Sequence, residues 1–234
     1  MINPLLIVIL IQGWTESGVL KESLLKKVLE SIPGVMVIVP DYLEPTARGK
    51  FAKFRTHKSV QDYAGYVWAY YRQTKADFPR VPVLVVGHSL GGIIARYLHE
   101  EGFFPAKDMI LVGTPNKGIT YRTLGGSFGV VVLPILKVVA SKRFCNVPVF
   151  YELLEGSIFL KELNAYGIPE DAYYISGSQD NIVPLWSSDP HNIGEFAECG
   201  HHLFPNEGVL AEKSAIPLVE RIVKERLAEI KAAS

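Results

Sequence analysis

The sequence predicts an α/β fold, a doubly wound, mainly parallel six-stranded sheet flanked by helices. Three observations carry this. Short apolar runs alternate with amphipathic helical stretches along most of the 234 residues. The runs Leu5–Ile11, Val35–Val39, Val83–Val86 and Met109–Val112 are continuously apolar rather than alternating, as strands covered by helices on both faces are. One run ends in Gly87-His88-Ser89-Leu90-Gly91 directly before a helical pattern. Right-handed crossovers then leave few topologies.

Pro4–Ile11 is the first predicted strand. It has no positively charged flank, no small-residue cleavage site and too few residues to span a bilayer, so it reads as a buried strand. A cytoplasmic protein is the corresponding expectation. Glu16–Ser31 reads as a helix with Leu20, Leu24, Leu25, Val28 and Leu29 on one face. Val35–Val39 is the second strand, closed by Pro40, and a polar, basic loop runs on to Lys58. Ser59, three residues before Asp62, marks a helix start, and that helix runs to about Asp77 before Phe78-Pro79. Val81–Gly87 is the third strand, Leu90–Glu101 a helix and Asp108–Gly113 the fourth strand. Ala172–Ser176 is the fifth strand and Ile193–Cys199 a shorter sixth, with a last helix filling most of Gly208–Ala232. Between the fourth and fifth strands the rhythm breaks. Phe128–Ala140 is apolar with Pro134 inside, and a mixed helix-like segment follows near Val149–Leu163. No repeat or low-complexity linker divides the chain, so residues 1–234 read as one domain with an insert at 119–164.

Composition excludes some classes. Lys plus Arg equals Asp plus Glu at 24 each, so no global basic field exists to draw in nucleic acid. The two cysteines, Cys145 and Cys199, make neither a disulfide framework nor a metal-site spacing, although a single bridge between them stays open.

The chemistry centres on Ser89. A strand, a sharp turn and a helix force the central serine of Gly-x-Ser-x-Gly into a strained backbone, and flanking glycines remove the Cβ atoms that would clash. The hydroxyl then projects from the carboxyl end of the sheet over the positive end of the next helix. A serine hydroxyl needs a base, and the base an orienting acid. Asp180, in the turn after the fifth strand, is the acid candidate, with Asp189 in reserve. His201, directly after Gly200 and before the last helix, is the base candidate, with His202 as the alternative. His57, His99 and His191 lie in places that do not suit a base, and His88 sits inside the turn. Two N–H groups must bind the oxyanion. The candidates are Leu90, after the nucleophile, and Trp14, in the Gln12-Gly13-Trp14 loop after the first strand.

Gly87-His88-Ser89-Leu90-Gly91-Gly92, Gly177-Ser178-Gln179-Asp180 with Ile182-Val183-Pro184, and Gly200-His201 together resemble the α/β-hydrolase superfamily. Within it they resemble the small bacterial lipases and esterases. Gly113-Thr114-Pro115 with Gly118 resembles a further lipase motif. Two positions depart from the pattern: Gln12-Gly13 stands where relatives usually carry His-Gly, and Asn116 where they carry His after Gly-Thr-Pro. The resemblance implies a reduced α/β-hydrolase fold with a cap or lid at 119–164. It implies an esterase or lipase working through Ser89, His201 and Asp180 on an acyl ester or lipid, without metal or organic cofactor. The apolar insert suits an acyl chain or transient contact with a lipid surface, and equally suits plain packing onto the domain. Two rivals stay open: a thioesterase or acyltransferase with the same triad, and a non-catalytic ligand-binding member of the fold.

Overall fold

The computed structural model describes residues 4–13, 24–40, 58–120, 148–178, 180, 182–197 and 210–233. Within them lie strands β1 (Leu6–Ile11), β2 (Val35–Ile38), β3 (Val83–His88), β4 (Met109–Val112), β5 (Tyr173–Gly177) and β6 (Glu195–Ala197). They form one sheet in the order β2-β1-β3-β4-β5-β6, and every neighbouring pair is parallel. The chain moves outward from β1 to β2, then crosses back to place β3 on the other side of β1. Open α/β sheets take their ligands at such a reversal, outside the carboxyl ends of the strands.

The described helices are α1 (Leu24–Glu30), α2 (Val60–Asp77), α3 (Leu90–Glu100), α4 (Pro148–Glu152), α5 (Ile158–Ala165), α6 (Leu185–Ser188) and α7 (Leu210–Ala232). Strand periodicity sorts the core into two layers. Ile7, Ile9, Ile11, Val83, Val85 and Leu111 pack with Tyr63 and Val67 of α2 and Ile93 and Ile94 of α3. Leu6, Val8, Leu10, Leu84, Val86 and Ile110 pack with Leu29 of α1 and Val219, Ile222 and Val223 of α7. All six residues of β1 are buried. A strand with both faces covered has no position where a polar residue is welcome, which is why these runs carry none.

Local chemistry fixes α2 as the sequence predicts. Asp62 N–H donates to Ser59 Oγ (3.1 Å) while Ser59 N–H donates to Asp62 Oδ2 (2.8 Å), a reciprocal capping box. The Ser59 bonds hold the Asp62 carboxyl below the usual aspartate range. Elsewhere the structure refines the reading. The helix-like segment near 149–163 is two helices, α4 and α5, separated where Leu154 bridges to Ile119 and Gly156 takes φ +75°. Ser157 then caps α5, accepting the Leu160 N–H at 3.1 Å. Leu24 is half exposed rather than on the buried face of α1, and Ile193 lies outside β6 with most of its side chain exposed. The single-turn helix α6 lies between the fifth and sixth strands, where no element is predicted from the sequence. Among the described residues, no helix is long and apolar enough to cross a membrane.

Candidate active site

Ser89 occupies the junction of β3 and α3 with φ 52° and ψ −119°. Positive φ is uncommon for a residue with a Cβ and stores strain. Two contacts hold it there: Ser89 N–H donates to the Val112 carbonyl of β4 (2.9 Å), and Gly92 N–H donates back to the Ser89 carbonyl (3.0 Å). Ser89 is the N-cap residue of α3, yet its side chain makes no capping bond. The turn is too tight for larger neighbours. A Cβ on Gly87 would lie 2.6 Å from the backbone of Gly91 and Gly92, and one on Gly91 would lie 2.1 Å from the Ile11 carbonyl oxygen.

The structure brings further predicted positions to this edge. Leu90 is the first residue of α3, where an N–H has no helical carbonyl to bond. The exit of β1, Ile11-Gln12-Gly13, is buried and lies against the turn, since the Ile11 and Gln12 carbonyls are what a Gly91 Cβ would strike. Asp180 follows β5 directly. Its N–H donates to Gly177 O (3.2 Å), and its Oδ1 accepts the Ile182 and Val183 N–H groups (2.9 and 2.8 Å). Val183 is buried, which anchors this turn on the core. Asp189 is also buried, but its oxygens accept the Ile193 and Gly194 N–H groups (3.1 and 2.8 Å) ahead of β6.

Trp14, His201, His202, His57, Cys145 and Cys199 lie outside the described residues, as does 121–147 of the insert. Three histidines lie within the described residues. His99, in the last turn of α3, has Nδ1 2.8 Å from Phe104 O, and His191 has Nε2 2.9 Å from Ile168 O. His88 is half-buried within the turn.

Sequence reasoning missed Arg96 on α3, which is completely buried. Nη1 donates to the Asn116 carbonyl (3.3 Å) and Asn116 Oδ1 (3.4 Å), and Nη2 to Asn164 Oδ1 (3.0 Å) and the Gly167 carbonyl (3.3 Å). Among the described residues no carboxylate pairs with it, and Nε has no hydrogen-bond partner. Burial pulls its guanidinium down to about 10, still charged at neutral pH. Nearby, burial pushes the Tyr174 phenol up to about 12. The signal available in the sequence was one cation directly after the apolar or small run Leu90–Ala95.

An all-parallel sheet in this order, with a strained serine between β3 and α3, defines the α/β-hydrolase fold, and the chain has that fold. Solved structures similar to it across nearly their whole length include lipases. One is the mature form of the Bacillus licheniformis lipase BlEst2 (16% identity, 96% of this chain and 91% of that one, TM-score 0.58). Another is the Paleococcus ferrophilus monoacylglycerol lipase (17%, 97% and 96%, TM-score 0.58). A third is a soluble variant of the Saccharomyces cerevisiae monoglyceride lipase (16%, 98% and 89%, TM-score 0.58). No family model and no curated protein matches the sequence.

Proposed function

We propose that the protein is a serine hydrolase that cleaves carboxylic esters of acyl or lipid substrates through an acyl-enzyme. The observation that carries this reading is Ser89 at φ 52° on the strand-to-helix turn, with its hydroxyl unspent on the helix cap. Ser89 Oγ attacks the ester carbonyl while His201 takes its proton. Asp180, fixed through Oδ1 by two backbone N–H donors, orients the imidazole and stabilises the imidazolium. The Leu90 and Trp14 N–H groups hold the oxyanion, each worth about 100- to 1000-fold in rate. His201 then protonates the departing alcohol, and water activated by the same imidazole releases the acid. The insert at 119–164 acts as cap over the acyl chain. Its described part ties back to the domain, since Glu152 Oε2 accepts the Val60 N–H (2.7 Å) and Asn164 Nδ2 donates to the Asn116 carbonyl (3.0 Å).

The test is hydrolysis of p-nitrophenyl esters of graded chain length by wild type and Ser89→Ala. The variant is expected to lose on the order of 10⁴-fold or more in kcat. A fluorophosphonate should label the wild type at Ser89 alone. A wild type that neither turns over nor labels would leave the ligand-binding alternative in its place. Faster turnover of matched thioesters than of oxygen esters would move the assignment to a thioesterase.

A further inference from the structure

We propose that Asn116 is a positioning residue, whose buried side-chain amide holds the loop bearing Asp180 in register with the helix bearing Ser89. This rests on the hydrolase reading above and names a part of that machinery which the triad and oxyanion donors do not include.

Asn116 lies in the loop after β4, and β4 separates the strand that ends at Ser89 from the strand that ends before Asp180. It is completely buried. Its Oδ1 faces α3, accepting from Arg96 Nη1 (3.4 Å). Its Nδ2 faces the other way, donating to the Ser188 carbonyl (3.1 Å) and the Thr114 carbonyl (3.3 Å). Its backbone repeats the bridge. The N–H is shared by the Ser187 and Thr114 carbonyls (3.0 and 2.9 Å), and the carbonyl accepts from Arg96 Nη1 (3.3 Å) and Asn164 Nδ2 (3.0 Å). Ser187 and Ser188 belong to α6, the turn that follows Asp180 and Ile182-Val183-Pro184.

The amide orientation is determined by its neighbours. A guanidinium can only donate and a carbonyl can only accept, so oxygen must face Arg96 and nitrogen must face Ser188. Few side chains of this length offer one acceptor and one donor at opposite sides of a single planar group. A carboxylate would oppose the carbonyls, and a leucine would strand both partners. Neighbouring bonds stiffen the same joint. Ser187 Oγ donates to the Gly118 carbonyl (2.7 Å) and accepts the Lys117 N–H (3.0 Å), and Ser188 Oγ sits 2.8 Å from Ser176 Oγ of β5. On the α3 side the fit is equally close, for a Cβ on Gly92 would lie 1.8 Å from Thr114 Oγ1. Helix α3, the 113–118 loop and α6 therefore move as one body, with Asn116 at its centre.

The experiment compares wild type, Asn116→Ser and Ser187→Ala on p-nitrophenyl butyrate. Each kcat is expressed per site titrated to completion with a fluorophosphonate. Serine keeps the pocket polar but cannot reach Arg96 and Ser188 together. Displacements near 1 Å at a reacting geometry cost about 100-fold, so Asn116→Ser should lose about 10- to 100-fold in kcat per titrated site with KM within about twofold. Ser187→Ala should lose less, about 3- to 10-fold on the same reasoning. A residue with a merely structural role would lower the number of titratable sites and leave each at full speed. Full kcat per site in both variants overturns the proposal. If Asn116→Ser fails to fold, Ser187→Ala decides by itself. An inactive, unlabelled wild type overturns the hydrolase reading and this one together, whereas an active wild type with full-speed variants overturns this one alone.

Discussion

Gly91→Ala places one methyl group where helix and sheet are in closest contact. The new Cβ would lie 2.1 Å from the Ile11 carbonyl oxygen, 2.6 Å from its carbon and 3.0 Å from the Gln12 oxygen. All three are backbone atoms of the buried strand β1 and its exit, so no side chain can swing aside. Ordinary contact begins near 3.4 Å, and α3 and β1 would have to part by about 1.3 Å. Overpacking of this kind costs about 1–3 kcal/mol, and the rigidity of backbone on both sides places it at the upper end. For a chain of this length that is roughly 4–12 °C in Tm. The same displacement moves Ser89 relative to the β1 exit, and a shift near 1 Å costs about 100-fold in rate. Gly65 on α2 is the control, since a Cβ there meets nothing within 4 Å. Gly65→Ala should stabilise by about 0.5–1 kcal/mol through the unfolded chain, with kcat unchanged. The assay is a thermal melt of each variant beside kcat per fluorophosphonate-titrated site. A Gly91→Ala protein within about 1 °C and twofold of wild type would refute the close seating of α3 on β1.

Two further outcomes follow from charge and capping. Glu152 of α4 accepts the Val60 N–H at the start of α2 (2.7 Å), and burial, with Asp62 adding to it, raises its carboxyl above the ordinary glutamate value. The folded protein therefore binds this proton more tightly than the unfolded chain, and stability falls as pH rises through the window between the two values. Glu152→Gln keeps an acceptor for Val60 and removes the charge, so its Tm should exceed wild type at pH 7 and the gap should close below the unfolded glutamate value, as parallel melts across pH would read. Ser59→Ala removes the cap oxygen of α2 and should cost about 1 kcal/mol in chemical denaturation with kcat per site unchanged.

How much of this was legible in the sequence depended on how local the determinants are. β1 was readable because a strand buried on both faces has only apolar positions, and the Ser59–Asp62 box because both its bonds close within three residues. The serine turn was readable for the same reason: strand, glycines and helix are contiguous. Arg96 was not, because its partners lie 20, 68 and 71 residues along the chain, and a lone arginine on a helix ordinarily marks a solvent face. Helix α6 is one turn, too short for a hydrophobic period to exist, and its serines are buried through bonds to Lys117, Gly118 and Ser176 rather than by apolar character. The break between α4 and α5 depends on a pairing of Leu154 with Ile119 that no window of either segment contains.

The two aspartates illustrate how topology decides what composition leaves open. Both follow β5, both sit among turn residues, and both accept two backbone N–H groups. In a parallel sheet, however, the chain must travel from the carboxyl end of β5 back to the amino end of β6, and Asp180 lies at the start of that stretch while Asp189 follows α6 further along it. Asp180 bonds to Gly177, the last residue of β5, and so stays at the edge where β3 delivers Ser89. Asp189 bonds to Ile193 and Gly194, which lead into β6, and a Cβ on Gly194 would meet Tyr174 near the start of β5. Its carboxylate is divided between two amides, one on each oxygen, and serves the entry of an edge strand. Asp180 accepts the Ile182 and Val183 N–H groups on Oδ1. In the proposed mechanism the acid that orients the imidazole stands at the carboxyl edge of the sheet, where Asp180 follows β5.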